Sequence, residues 1–224
     1  MIYTFSAIVL GATGQVGKEI VKELANNDRI LKVTLLLRRP LELPYSTDSK
    51  YAKFTQHVID FDQLPEYKDL FIDHDVVFCA LGTHSTYASD RNLFYKVDHH
   101  FVLDSARLAK DGGCHHFIVI TMKGANPHSR LFYYKVKGEV EEDLKAVRFY
   151  RLSIFRPGFL LCPHRKYAGW LESVSHFAMK RLDIWRNASI ETKEIAKVMV
   201  QQCFAPKQND VEVYENKMIH SLAK

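Results

Sequence analysis

Two groups of residues in this chain have the types and spacing to do chemistry together. Tyr133 and Lys137 stand four positions apart in a run of helical character, which puts both side chains on one face. A free tyrosine ionises near pH ~10, and a neighbouring ammonium favours the phenolate. The pair suits proton delivery to a carbonyl oxygen while a hydride reaches the carbon, with Lys137 also holding the ribose of a nicotinamide cofactor. The second group is Gly11-Ala12-Thr13-Gly14-Gln15-Val16-Gly17. Gly11 allows a tight turn, Gly14 lets backbone approach a pyrophosphate, and Gly17 lets a following helix pack on a sheet. The helix start adds free N–H groups and the positive end of a dipole. The plainer reading is a glycine turn with no ligand.

The next basic pair bears on which dinucleotide is meant. Lys32-Val33-Thr34-Leu35-Leu36-Leu37 reads as a strand, and Arg38-Arg39 follows it. NAD-binding chains usually place an acidic residue there for the ribose 2′-hydroxyl. Two guanidinium groups suit a 2′-phosphate instead, so NADP(H) is the expected cofactor. A third catalytic group should polarise the carbonyl oxygen. Thr121 carries the only hydroxyl at the end of its strand, although a β-branched residue also simply fills a strand. Ser129 is the reserve candidate. Tyr134 competes with Tyr133, but its partner four residues on is Gly138, which has no charge.

These groups need elements to hold them. Apolar runs of strand length fall at residues 5–10, 32–37, 54–59, 76–81, 116–121, 150–155 and 211–214. Helical periodicity falls at 16–26, 64–71, 93–110, 131–147 and 192–204. In the fourth run Val136, Val140 and Leu144 make an inward stripe that leaves Glu141 and Lys145 outside. Alternation of this kind predicts an α/β fold: a Rossmann doubly wound parallel sheet covered on both faces. One domain over residues 1–224 is expected, with residues 162–190 as a small substrate-side lobe.

The chain has 224 residues, 47% hydrophobic and 25% charged, enough for one substantial core. Its net charge of +5, from 31 basic and 26 acidic residues, suits an anionic cofactor and is too small and dispersed for nucleic acid. Cys79, Cys114, Cys162 and Cys203 form no C-x-x-C pair, so no zinc site is expected and the thiols point to a reducing, cytoplasmic compartment. Neighbouring residues on a helix point about 100° apart, so His99-His100 is not expected to share a metal ion; His115-His116 leads into a strand. No leader and no transmembrane segment are expected.

Gly11 to Gly17, Leu37-Arg38-Arg39, Ala80-Leu81-Gly82-Thr83, Lys123-Gly124-Ala125, Tyr133–Lys137-Gly138-Glu139 and Phe155-Arg156-Pro157-Gly158 occur in that order. Together they resemble the atypical or extended short-chain dehydrogenase/reductases. With Val136-Lys137-Gly138-Glu139-Val140-Glu141 and Glu215-Asn216-Lys217-Met218-Ile219-His220, the chain is similar to the Tat-interacting oxidoreductase family, which includes fungal proteins of the mitochondrial surface. The resemblance covers nearly the whole chain. It implies NADPH binding and a Tyr–Lys active site acting on an undefined small carbonyl substrate. It also implies a regulatory role with a protein partner, in the cytoplasm, in the nucleus or peripheral to a mitochondrial surface. It places Asp60-Phe61 on the adenine side, Leu81, Gly82 and Thr83 under the cofactor and Arg156 beside the nicotinamide, adding to Thr13, Gln15 and Val16 in the first turn. The family pattern commonly has two serines at Thr121-Met122. Thr121 keeps a hydroxyl and Met122 does not, which bears on catalysis more than on cofactor binding. Two functions stay open: a carbonyl reductase, and an NADPH-binding regulatory module.

Overall fold

Ala7, Ile8, Val9 and Leu10 are all wholly buried, and two-sided burial makes β1 (Phe5–Leu10) an inner strand. The computed structural model describes residues 4–44, 48–83, 90–161 and 188–224. In chain order β1 is followed by β2 (Ile30–Leu37), β3 (Phe54–Val58), β4 (Val76–Cys79), β5 (His116–Ile120) and β6 (Arg151–Arg156). Then come the short β7 (Phe159–Leu161) and β8 (Ser189–Glu191), and finally β9 (Val211–Glu215). Seven strands form one sheet in the order β3-β2-β1-β4-β5-β6-β9, with every neighbouring pair parallel. This is the doubly wound Rossmann arrangement. The chain leaves β1 toward β2 and returns to lay β4 on the other side. The crevice outside the ends of β1 and β4 is therefore the switch point where such sheets bind ligands.

Alternate residues of β1 feed two cores. Ala7 and Val9 pack with α1 (Gln15–Ala25) and α5 (Thr192–Phe204), through Ile20, Leu24, Val198 and Met199. Ile8 and Leu10 pack with α3 (Phe101–Asp111) and α4 (Phe132–Ala146), through Val102, Ala106, Val140 and Leu144. Two expected helices come out differently. The run at 64–71 lies inside a kinked 3₁₀ segment, Phe61–Phe71, because Pro65 has no N–H to give to a helical ladder and Gln63 and Tyr67 leave helical angles. The run at 93–110 is interrupted: α2 (Arg91–Tyr95) passes into a π turn, Lys96–His100, before α3 begins. The parallel pair β7–β8 and α6 (Asn216–Leu222) were not expected from the periodicity. Of the lobe expected at 162–190, residues 162–187 lie outside the described residues, while Ser189 and Ile190 belong to β8.

A buried polar cluster joins β5, β6 and β9 at the end of the sheet away from the switch-point crevice. Arg151 donates to Glu212 at 3.0 and 2.7 Å and to the Gln202 and Ala205 carbonyls at 2.8 Å, so it also caps α5. His116 Nε2 lies 2.9 Å from Ser153 Oγ. Burial, with the Arg151 charge beside it, pushes the His116 imidazole down to about 3. Burial works against the Glu212 charge, but hydrogen bonds from Tyr214, the Gln208 N–H and Arg151 outweigh it and hold the carboxyl at about 2.

Both depressions have the same sign for stability. Unfolded histidine takes up its proton near pH ~6.5 and unfolded glutamate near ~4.3, and the folded groups resist both. Stability is full above those values and falls as the pH drops toward the folded ones. Between pH 6.5 and 5, His116 alone of the two contributes, at about 1.4 kcal/mol per pH unit. Urea unfolding at pH 7 and pH 5 measures it. His116→Gln should shrink the acid loss by roughly 2 kcal/mol, whereas a loss equal to that of the wild type would remove His116 from the account.

Candidate active site

The glycine turn is shaped by a contact that admits no side chain. Gly11 has φ +80°, and a Cβ there would meet the Ala80 carbonyl oxygen at 2.5 Å. A Cβ on Gly17 would run into the Gly11 carbonyl, so α1 starts directly against the turn. Lys18 N–H makes the first helical bond, to the Gly14 carbonyl at 3.0 Å. No side chain caps the start of this helix. A glycine-walled cradle at an uncapped helix start fits a dinucleotide pyrophosphate. Thr13, Gln15 and Val16 lie in this turn or in the first helical turn.

Arg38 and Arg39 part company. Arg39 lines a hollow of about 560 Å³ with Thr13, Lys18 and Lys22. Arg38 lines another of about 380 Å³ with Asp60, Phe61 and Lys96. The first gathers basic groups beside the glycine turn. In the second, Phe61 is buried and Lys96 is paired with Asp62 at 2.5 Å.

Tyr133 and Lys137 lie one turn apart on α4, as the spacing requires, with Tyr133 half-buried. Lys137 is buried, and its Nζ lies 2.8 Å from Asp98 Oδ1. The other oxygen of Asp98 accepts from the Thr83 N–H at 2.8 Å and from Thr83 Oγ1 at 2.7 Å. Gly82 sits over this pair: a Cβ there would lie 3.2 Å from Asp98 Oδ1 and 3.6 Å from Lys137 Nζ. Loop 80–83 thus touches the glycine turn through Ala80 and the Tyr–Lys pair through Gly82 and Thr83, with Leu81 between them. The Tyr133 ring packs on Phe94, with centroids 5.1 Å apart.

The electrostatics run against the simple expectation for Tyr133. Burial raises its pKa most, Lys137 lowers it as the spacing predicted, and Asp98 and Tyr134 push it up again; the net direction is up. For Lys137 burial works against the charge, but Asp98 and then Tyr133 outweigh it, so its pKa also rises. The phenol stays protonated and the ammonium charged.

Tyr133 faces a cavity of about 800 Å³ lined, among the described residues, by Thr83, Thr121, Met122, Lys123, Tyr134 and apolar groups from Ile120 to Leu160. Thr121 is in the cavity wall, but its hydroxyl donates to Glu141 Oε1 at 2.6 Å. Glu141 is a correction to the helix stripe: expected outside, it is 1% exposed. Its charge is balanced by Arg156, which donates to it at 3.0 and 3.1 Å and to Glu215 at 3.0 Å. Those carboxylates raise the Arg156 pKa, the Glu141 hydrogen bond most of all. Arg156, expected beside the nicotinamide, is thus committed to the protein's own carboxylates. Ser129 Oγ accepts from the Leu131 N–H at 3.1 Å and is not in the cavity wall.

Sequence reasoning missed Asp98 and Glu141. Glu141 had a signal, since 133, 137 and 141 share one face at spacing four. Asp98 had none: the π turn that aims it inward leaves no periodic trace. His99 bonds Asp143 at 2.8 Å and stacks on Tyr95. Among the described residues no group of three or more His, Cys, Asp or Glu side chains is placed to hold a metal. No described helix is long and apolar enough to cross a membrane.

A family model described as NAD(P)H-binding matches residues 11–206. Protein HTATIP2 of Rattus norvegicus is 38% identical over 222 residues, covering 98% of this chain and 89% of its own length. The Eremothecium gossypii protein named FMP52, mitochondrial, is 32% identical, covering 98% and 97%. The solved structure of MoeE5 with UDP-glucuronic acid and NAD superposes with a TM-score of 0.74 at 14% identity, over 94% of this chain and 75% of that one. UDP-glucose 4-epimerase from Bifidobacterium longum with NAD+ and UDP gives 0.72 at 13%, over 94% and 77%. At such identities these two structures speak for the fold alone. The family model and the full-length relatives carry more: the chain belongs to the NAD(P)H-binding family that includes HTATIP2 and FMP52.

Proposed function

We propose that this chain is an NADPH-dependent oxidoreductase that reduces a small carbonyl compound. The observation that carries the reading is the Tyr133–Lys137 pair on the wall of a cavity of about 800 Å³, joined by loop 80–83 to the glycine turn. The glycine turn and the α1 start would hold the pyrophosphate, Asp60 and Phe61 the adenine side, and Thr83 and Lys137 the nicotinamide ribose. Bound NADPH supplies the hydride. Tyr133 gives its phenolic proton to the carbonyl oxygen as the alcohol forms, and the phenolate left behind faces the Lys137 ammonium until solvent returns the proton. The apolar wall keeps water from the reacting carbon. Arg39, with Lys18 near it, supports a 2′-phosphate and hence NADPH over NADH.

One observation favours the second reading, an NADPH-binding regulatory module. The Thr121 hydroxyl is engaged by Glu141 and the neighbouring Met122 has none, so the group that should polarise the carbonyl is not free. A protein partner then takes the place of the substrate. The mitochondrial label of the fungal relatives supports a place peripheral to a mitochondrial surface rather than a cytoplasmic one.

Calorimetric titration with both cofactors tests the NADPH preference. Arg38→Ala with Arg39→Ala should weaken NADPH by roughly a hundredfold or more, since two charge-assisted contacts at the lower end of about 1.5–3 kcal/mol each sum to about 3 kcal/mol, and should leave NADH little changed. Equal losses for both cofactors would mean that the arginines serve only the fold.

A panel of carbonyl compounds with NADPH tests the chemistry. Tyr133→Phe should lower turnover about 10²–10⁴-fold while binding NADPH as the wild type does. Thr121→Val should cost less. Full turnover by Tyr133→Phe would remove the acid assignment. Tight NADPH binding with no wild-type turnover above the Tyr133→Phe background would move the chain to the regulatory reading.

A further inference from the structure

Asp98 is wholly buried, and the partners of its carboxylate all belong to the candidate site: Lys137 Nζ at 2.8 Å, and the N–H and hydroxyl of Thr83 at 2.8 and 2.7 Å. A buried carboxylate with no role in packing is costly to keep unless its position matters. The backbone takes an irregular form to deliver it. Between α2 and α3 the Lys96–His100 π turn inserts an extra residue into a continuous helical path, and Asp98 lies at its centre. Such bulges are uncommon and gather at functional sites.

We infer that Asp98 is the positioning residue of this site, clamping Lys137 to loop 80–83 and opposing the Lys137 charge at Tyr133, so that Tyr133 is held protonated, as a proton donor, at neutral pH. This rests on the reading of Tyr133 as the acid. An ammonium alone beside a buried phenol strongly favours the phenolate, which is the base needed for oxidation. An ammonium paired at 2.8 Å with a carboxylate acts as a dipole, whose effect on a third group is far smaller. The other groups around the pair do not restore a net positive charge. From α4 Tyr134 brings no cation, and Glu141 is matched by Arg156. From β4 the Cys79 thiol is pushed up to about 12 by burial and stays neutral. Lys123 lines the same cavity from the loop after β5 and is exposed there, so solvent screens its charge. Burial and Asp98 together keep the Tyr133 pKa above its ordinary value.

The test needs neither substrate nor cofactor. Protein labelled with ¹³C at the tyrosine ring carbon bearing oxygen is titrated by NMR, with the Tyr133 resonance assigned from Tyr133→Phe. In the wild type Tyr133 stays a phenol through pH 10. In Asp98→Asn it ionises about 1–2 pH units lower than in the wild type. A midpoint at or above that of the wild type in a folded Asp98→Asn protein overturns the proposal. Should Asp98→Asn not fold because Lys137 is left buried alone, the double variant Asp98→Asn with Lys137→Met decides, because it buries no unpaired charge. Its Tyr133 midpoint falls within one pH unit of the wild type if the two charges cancel. A midpoint more than one unit higher shows that Lys137 had been acting on Tyr133 unopposed, and overturns the proposal. A carbonyl panel that gave no turnover would count against the oxidoreductase reading and leave this titration to be judged by itself.

Discussion

Everything at the crevice is registered by the approach of β1's turn to the end of β4. Gly11 lies against the Ala80 carbonyl with no room for a methyl group, at a positive φ that other residues adopt only with strain. That contact fixes the start of α1 on one side and loop 80–83 on the other. From the loop, Thr83 reaches Asp98, Asp98 reaches Lys137, and Lys137 lies one turn from Tyr133. The cradle for a dinucleotide and the proton donor are therefore parts of one chain of contacts only a few residues long. A displacement at Gly11 would be felt at Tyr133.

Three buried or half-buried ion pairs recur around β6 and α4: Lys137–Asp98, Arg156–Glu141 and Arg151–Glu212. Desolvating such pairs commonly costs as much as their attraction returns, so they are weak evidence for stability and better evidence for placement. Their places divide the labour along one strand. Arg151 starts β6 and ties it to β9 and to the end of α5. Arg156 ends the same strand and holds Glu141, which in turn takes the Thr121 hydroxyl on the cavity wall. One arginine serves the frame and the other the site.

The sheet was legible because parallel inner strands bury both faces and so read as unbroken apolar runs; the bounds of β1 and α5 match the periodicity to the residue. The glycine turn and the Tyr133–Lys137 spacing were legible because they are local. What escaped depends on partners far along the chain. Glu141 is buried because Arg156 and Thr121 meet it, and helical periodicity alone assigns a carboxylate to the outside. The direction of the Tyr133 shift escaped for the same reason, since it is set first by burial under other elements and then by Asp98, on another element, working against Lys137. Strands of three residues, such as β7 and β8, are too short to show a period.

The π turn makes the site sensitive to chain length in a way that most helices are not. Each residue of a helix advances the face by about 100°, so the extra residue in Lys96–His100 is what lets Phe94 face Tyr133 while Val102 and Ala106 face the sheet. Loss of one residue there would let the run relax into an unbroken α-helix, and the faces of α2 and α3 would no longer be offset. Asp98 would then turn away from Lys137 although no residue touching either had been substituted. In descent, this stretch should tolerate changes of side chain far better than a single insertion or deletion.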